Sequence, residues 1–181
     1  IAHSEALAAK LFGAERTCYS AGGSTLAIQA ALAILRAQGC KTIAAGRCSH
    51  RSLVSSAALL GLEVKWLYPK EYPSADVDCS KEALSGADAL FLTNIDYYGG
   101  TCRASDPGIP VVVDNAHGSY LKFVSKAGFG REYLHPMEFG FPVISAESAH
   151  KTLPALTGAA YLHFSKGADF SRAKEMTALF G

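Results

Sequence analysis

Val111-Val112-Val113-Asp114-Asn115-Ala116-His117-Gly118 is the stretch from which the fold is read. Three β-branched residues in a row suit a strand buried on both faces. The run stops on a carboxylate and gives way to polar residues and a glycine. In open α/β sheets the ligand lies at the carboxyl ends of the strands, so a polar cluster directly after an apolar strand is a candidate for chemistry. An Asp at such a place can bind a metal, orient a base or pair with a protonated heterocycle nitrogen. A helix cap or a turn is the plain alternative.

The same pattern recurs on both sides. Residues 42–45, 63–68, 89–93, 110–114, 142–146 and 159–164 read as strands. Residues 4–12, 26–36, 50–60, 80–84 and 170–179 read as helices. The helix at 26–36 is rich in Ala and Leu, with Ser24 or Thr25 to cap it and Gly39 to stop it. Strands alternating with helices predict the α/β class, with a mostly parallel central sheet and helices on both faces.

The bulk composition limits the function. The chain has 181 residues, 49% hydrophobic and 18% charged, which predicts one globular domain over 1–181. A formal net charge of +1 gives no pull toward nucleic acid or an anionic membrane. No apolar run is long enough to span a bilayer. The five cysteines include no C-x-x-C pair, and their odd number argues against a disulfide framework, so a reducing, cytoplasmic setting is expected. The six histidines are scattered, and no metal site is expected.

Four further clusters follow predicted strands or open helices. Gly22-Gly23-Ser24-Thr25 begins a helix, where backbone N–H groups and the helix dipole suit a phosphate. It lacks the spacing of a P-loop or of G-x-G-x-x-G, and taken alone a turn with an N-cap is the plainer reading. Arg47-Cys48-Ser49-His50-Arg51-Ser52 offers a His that is structural or functional. Thr93-Asn94-Ile95-Asp96-Tyr97-Tyr98-Gly99-Gly100 reads as a turn. Ser145-Ala146-Glu147-Ser148-Ala149-His150-Lys151-Thr152-Leu153-Pro154 places a lysine at the ligand edge. A surface lysine is the ordinary explanation, but a partly desolvated one near other cations can attack carbonyls. Together the clusters supply a phosphate cradle, a ring-stacking His, a carboxylate and a lysine, the set that pyridoxal 5′-phosphate (PLP) requires.

In order and wording these segments resemble the major domain of the ornithine/lysine/arginine decarboxylases, PLP enzymes of the aspartate aminotransferase fold. Ser148-Ala149-His150-Lys151-Thr152 is close to that family's S-x-H-K-T segment, and Asp114-Asn115-Ala116-His117-Gly118 to its D-x-A-H-G segment. Arg47 to Ser52 resembles R-x-x-H-K-S, Thr93 to Gly99 resembles T-x-x-x-Y-x-G, and Gly23-Ser24-Thr25 the phosphate loop. The likeness runs over nearly the whole chain.

The resemblance implies that Lys151 holds PLP as a Schiff base and that Asp114 keeps the pyridine nitrogen protonated. It implies that His50 stacks on the ring, and that Ala116 lies against it. Ser24, Thr25 and Ser148 would bind the phosphate, helped by N–H groups near Gly23. His117 and His150 would lie near the substrate, a basic amino acid, and the active unit would be a homodimer or larger homo-oligomer. Asn115 departs from the family, where an acidic residue is frequent, and is expected to alter the local field. The family continues beyond the last helix here, and this sequence has no initiating Met. The expectation is therefore a fragment without its C-terminal domain and with little activity of its own. Another PLP reaction on the same scaffold, a lyase or aminotransferase, stays open, as does a non-catalytic remnant.

Overall fold

The computed structural model describes residues 1–69, 75–102, 105–127 and 133–180. Seven strands form one sheet in the order β1-β7-β6-β5-β4-β2-β3. They are β1 (Arg16–Ser20), β2 (Thr42–Gly46), β3 (Glu63–Leu67), β4 (Ala89–Thr93), β5 (Val111–Asp114), β6 (Ile144–Ser148) and β7 (Ala160–Phe164). β3, β2, β4, β5 and β6 run parallel, and β7 runs antiparallel to both β6 and β1. The helices are α1 (Ala2–Phe12), α2 (Gly23–Ala37), α3 (Arg51–Leu60), α4 (Lys81–Leu84), α5 (Leu121–Lys126), α6 (Ala149–Thr152) and α7 (Ala173–Phe180). The mostly parallel α/β sheet is therefore as the sequence predicts.

Period-two alternation sends the strand residues to two cores. On one face Ile43, Ala45, Phe91, Val112, Ile144, Ala146 and Leu162 meet α2, α3 and α7. The α2 residues Ala27, Ala30 and Ala31 are at most 1% exposed, and their small side chains let this 15-residue helix lie close to the sheet. On the other face Ala44, Leu90, Leu92, Val111 and Val113 pack against Val77, Leu84 and Phe141. Among the described residues no helix is long and apolar enough to cross a membrane.

Three local expectations need correction. Helix α2 starts at Gly23 with Gly22 as its N-cap and no side-chain cap, so Ser24 and Thr25 lie inside its first turn. Gly39 follows the Gln38 C-cap with φ +98°, and stops the helix as expected. Strand β6 runs two residues later than 142–146, because Glu147 and Ser148, expected beyond its end, are buried inside it. The last helix starts at Ala173 rather than 170. Strand β1 carries no apolar run and was missed. Its Thr17 and Cys18 are buried, and Tyr19 N–H donates to Glu5 Oε1 of α1 (3.0 Å).

Candidate active site

Register brings the strand ends together. Thr93 of β4 is opposite Asp114 of β5, and Asp114 is opposite Ala146 of β6. Asp114, at the end of an all-buried strand, therefore faces the N-terminus of α2 across the sheet's ligand edge. A cleft of about 240 Å³ opens there. Its walls include Gly23, Ser24, Thr25, His50, Asp114 and Ala116. His117, Ser148, His150 and Lys151 complete the set. All ten candidate residues from the sequence thus border one cavity.

At one end the first turn of α2 presents its hydroxyls. Ser148 Oγ donates to Ser24 Oγ (2.8 Å), joining β6 to α2. The N–H of Gly23 donates to the Gly158 carbonyl (2.8 Å), so a phosphate here would draw on other groups of this turn. Gly158 is required by this crossing: its φ is +90°, and a Cβ there would stand 2.6 Å from the Ala21 carbonyl oxygen.

His50 is both structural and a wall of the cavity. It caps α3, accepting from the Ser52 N–H at Nδ1 (3.2 Å). That bond fixes the ring while one side faces the cleft. His150 is turned toward β7, donating from Nδ1 to the Ala159 carbonyl (3.1 Å).

The carboxylate and the lysine belong to the same cavity. Asp114 is 4% exposed, and its Oδ1 accepts from the Ala116 N–H (3.1 Å). Burial raises its pKa above the usual carboxylate range, against the pull of that bond, His50 and Lys151. Lys151 is solvent exposed, and its Nζ donates to His117 Nε2 (3.2 Å). Burial, with help from Lys151 and His50, lowers the His117 pKa, which keeps this imidazole an acceptor at neutral pH.

The end of β4 and the loop after it supply further walls, in a segment expected only to turn: Thr93, Ile95, Asp96 and Tyr97. Ile95 has φ +59°, an unusual conformation for a β-branched residue and one that costs about 1–3 kcal/mol. Its neighbours hold it there. Asp96 Oδ1 accepts from the N–H groups of Tyr98 and Gly100 (2.8 Å each). Asn94 Nδ2 donates to Asn115 Oδ1 (3.0 Å). The available signal was an apolar strand running into polar residues at its carboxyl end. Asn115 is not among the cavity walls, and its amide is held between Asn94 and Glu147.

No family model matches the chain. The protein YaaO of Bacillus subtilis is 30% identical over 188 residues, covering 95% of this chain and 38% of that protein. An arginine decarboxylase of Halalkalibacterium halodurans is 27% identical over 92% of this chain and 36% of its own. The chain spans little more than a third of the length of these curated relatives. Among solved structures, lysine decarboxylase A from Pseudomonas aeruginosa superposes with TM-score 0.73 at 20% identity, over 99% of this chain and 28% of that one. A sphingosine-1-phosphate lyase from Burkholderia pseudomallei gives TM-score 0.73 at 18% identity, over 92% and 44%.

The fold is the aspartate aminotransferase-like fold of PLP-dependent enzymes.

The residues around the cavity fit that cofactor. A phosphate suits the α2 N-terminus with its paired hydroxyls. A buried carboxylate whose charge the protein offsets poorly suits a ring nitrogen carrying a proton. Thr93 Oγ1, buried at the cavity wall without a hydrogen-bond partner, is a further polar group left for a ligand.

Proposed function

We propose that this chain is the PLP-binding portion of an amino-acid decarboxylase acting on a basic amino acid. One observation carries the cofactor assignment: Lys151, the buried Asp114 and the Ser24–Ser148 hydroxyl pair border a single cavity at the ends of adjacent elements. The decarboxylase assignment draws its support from relatives named arginine decarboxylase and from the superposed lysine decarboxylase.

On this reading Ser24, Thr25 and Ser148 hold the phosphate at the dipole end of α2. Asp114 holds a proton on the ring nitrogen, and the desolvation that raises its pKa also strengthens that pairing. His50 covers one ring face and Ala116 borders the ring, since both line the cavity. Lys151 anchors the cofactor, and His117 accepts the proton that the Lys151 ammonium must lose to do so. Bound PLP would supply the electron sink for the bonding pair left behind when the substrate carboxylate leaves as CO2.

None of Arg47, Arg51 and Arg172 lines the cavity. Arg47 lies over the Trp66 ring and Arg172 pairs with Glu175. Arg103 and Arg131 lie outside the described residues. A fixed grip on the substrate carboxylate is what orients the breaking bond. The 181-residue chain is therefore expected to bind PLP yet turn over slowly. A second copy of the chain is the expected cover for the cavity's open side, where Tyr97 and Tyr98 are 70% and 75% exposed.

The test is absorbance of the purified chain titrated with PLP, followed by assays of CO2 release from arginine, lysine and ornithine. PLP binding with CO2 release from a basic amino acid, even slow, supports the proposal. PLP binding with transamination or carbon–carbon cleavage of another substrate would move it to the other reactions of the fold. No PLP binding would remove it.

A further inference from the structure

On the far face of the same strand ends lies a polar cluster that the proposed chemistry does not use. Glu147, Asn115, Ser145, His135 and His163 are each 0% exposed. Glu147 precedes Ser148 on β6 and so points to the opposite side of the sheet from it. Its Oε1 accepts from Asn115 Nδ2 (3.0 Å) and from Ser145 Oγ (3.0 Å). His135 Nε2 stands 2.8 Å from the same oxygen, and His163 Nε2 stands 3.8 Å from Oε2. His135 Nδ1 accepts from the Met137 N–H (3.2 Å), which leaves the proton of a neutral ring on Nε2, facing the carboxylate.

Asn115 is used at both ends. It donates to Glu147 and accepts from Asn94 Nδ2 (3.0 Å). Asn94, Asn115 and Glu147 each stand at the carboxyl end of a neighbouring parallel strand, β4, β5 and β6. Each is next in sequence to a residue of the cavity wall: Thr93, Asp114 and Ser148. The packing is close, since a Cβ at Gly118 would fall 2.0 Å from Asn115 Oδ1.

A buried carboxylate is tolerated when donors surround it, and a second one beside it is not. An Asp at 115 would set two carboxylate oxygens where a 3.0 Å hydrogen bond now stands. We infer that Asn115 and Glu147 are positioning residues for the cofactor site: an amide–carboxylate brace on the far face of the sheet that fixes Asp114 and Ser148, and that admits only one carboxylate. The inference rests on the cofactor reading above and extends it to residues that touch neither cofactor nor substrate.

The test compares Asn115→Asp, Glu147→Leu and the double variant Asn115→Asp/Glu147→Gln. The double variant returns one carboxylate and one amide in exchanged positions. Thr17→Val serves as control, because it removes the Thr17–His163 bond (2.7 Å) on the same face without touching the brace. PLP affinity and thermal midpoint are measured for each. Asn115→Asp and Glu147→Leu are expected to weaken PLP binding by about tenfold or more, as breaking one partner of a buried pair does. The exchanged double variant is expected to return within about threefold of the parent, the mark of two coupled positions. Thr17→Val lowers the midpoint and leaves PLP affinity alone.

Unchanged PLP affinity in folded Asn115→Asp and Glu147→Leu would overturn the inference, as would a double variant no better than Asn115→Asp. If Asn115→Asp fails to fold, folding and PLP binding by the double variant are the recovery, and its failure too would count against the brace. If the parent chain binds no PLP, the cofactor reading falls. Hydrogen exchange at 114–118 and 148–151 then decides the brace: faster exchange in Asn115→Asp that the double variant reverses supports it, and no change overturns it.

Discussion

Lys151 Nζ lies 3.2 Å from His117 Nε2, so the lysine that is proposed to anchor the cofactor already rests against a neutral imidazole. The two come from different elements, α6 and the turn after β5. The β5–β6 register that sets Asp114 beside Ala146 therefore also sets this pair. An ammonium cannot attack a carbonyl, and His117 is placed to take its proton.

Replacing His117 with Leu should slow PLP capture at neutral pH by about tenfold or more, at the low end of what a positioned base supplies. Final occupancy at alkaline pH should change little, since hydroxide then does the same task. Stopped-flow absorbance after mixing with PLP, across a pH series, checks this. Equal rates for parent and variant at every pH would mean that the contact has no part in capture.

Asp114→Asn should weaken PLP binding by about 10- to 100-fold, the worth of a charge-assisted hydrogen bond. It should not destabilise the protein without cofactor. Burial raises the Asp114 pKa, so its ionised form is a cost to the fold. Thermal melts with and without PLP separate the two effects. A large fall in the midpoint without PLP would make Asp114 a structural residue.

Ser24→Ala should cost about 0.5–1.5 kcal/mol of PLP binding, as for a neutral hydrogen bond. Ser148→Ala should cost less when Ser24 is already Ala, because the two hydroxyls share one bond (2.8 Å). The double-mutant cycle by PLP titration measures that coupling. Strict additivity would show that the hydroxyls act apart.

Acid should weaken the fold below about pH 6.5. Burial pushes His163 down to about 4, against the opposing pull of Glu147. Between its ordinary value and that one, the unfolded chain carries a proton that the folded chain lacks, so stability falls as pH drops. The loss over that window is on the order of 3 kcal/mol. Burial works against the Glu147 carboxylate, but His135 and His163 outweigh it and bring it to about 2, extending the loss below pH 4.5. Asp114, raised by burial, opposes this at pH above its ordinary value. Urea unfolding of the parent and of His163→Gln from pH 7 to 4 checks the account: the variant should lose most of the slope between 6.5 and 4.

The sequence made the sheet and the cavity legible for one reason. Val111 to Val113 and Ala89 to Thr93 are apolar runs that end on polar residues, and in a parallel sheet those ends share an edge. Strand β1 was not legible, because Arg16 to Ser20 has no apolar run and its burial comes from α1 and β7. Glu147 was misread for a related reason. A charged residue in a strand signals an end unless buried partners await it, and those partners, His135 and His163, lie 12 and 16 positions away in sequence. Ile95 was hidden too, since no residue type announces a β-branched side chain at positive φ.

The most direct measurement is borohydride reduction of the chain mixed with PLP, followed by peptide mass mapping. The account predicts one pyridoxyl group, on Lys151, and none after Lys151→Ala. A label on another lysine, such as Lys166 or Lys122 (paired with Glu138 at 2.9 Å), or no label at all, would contradict it.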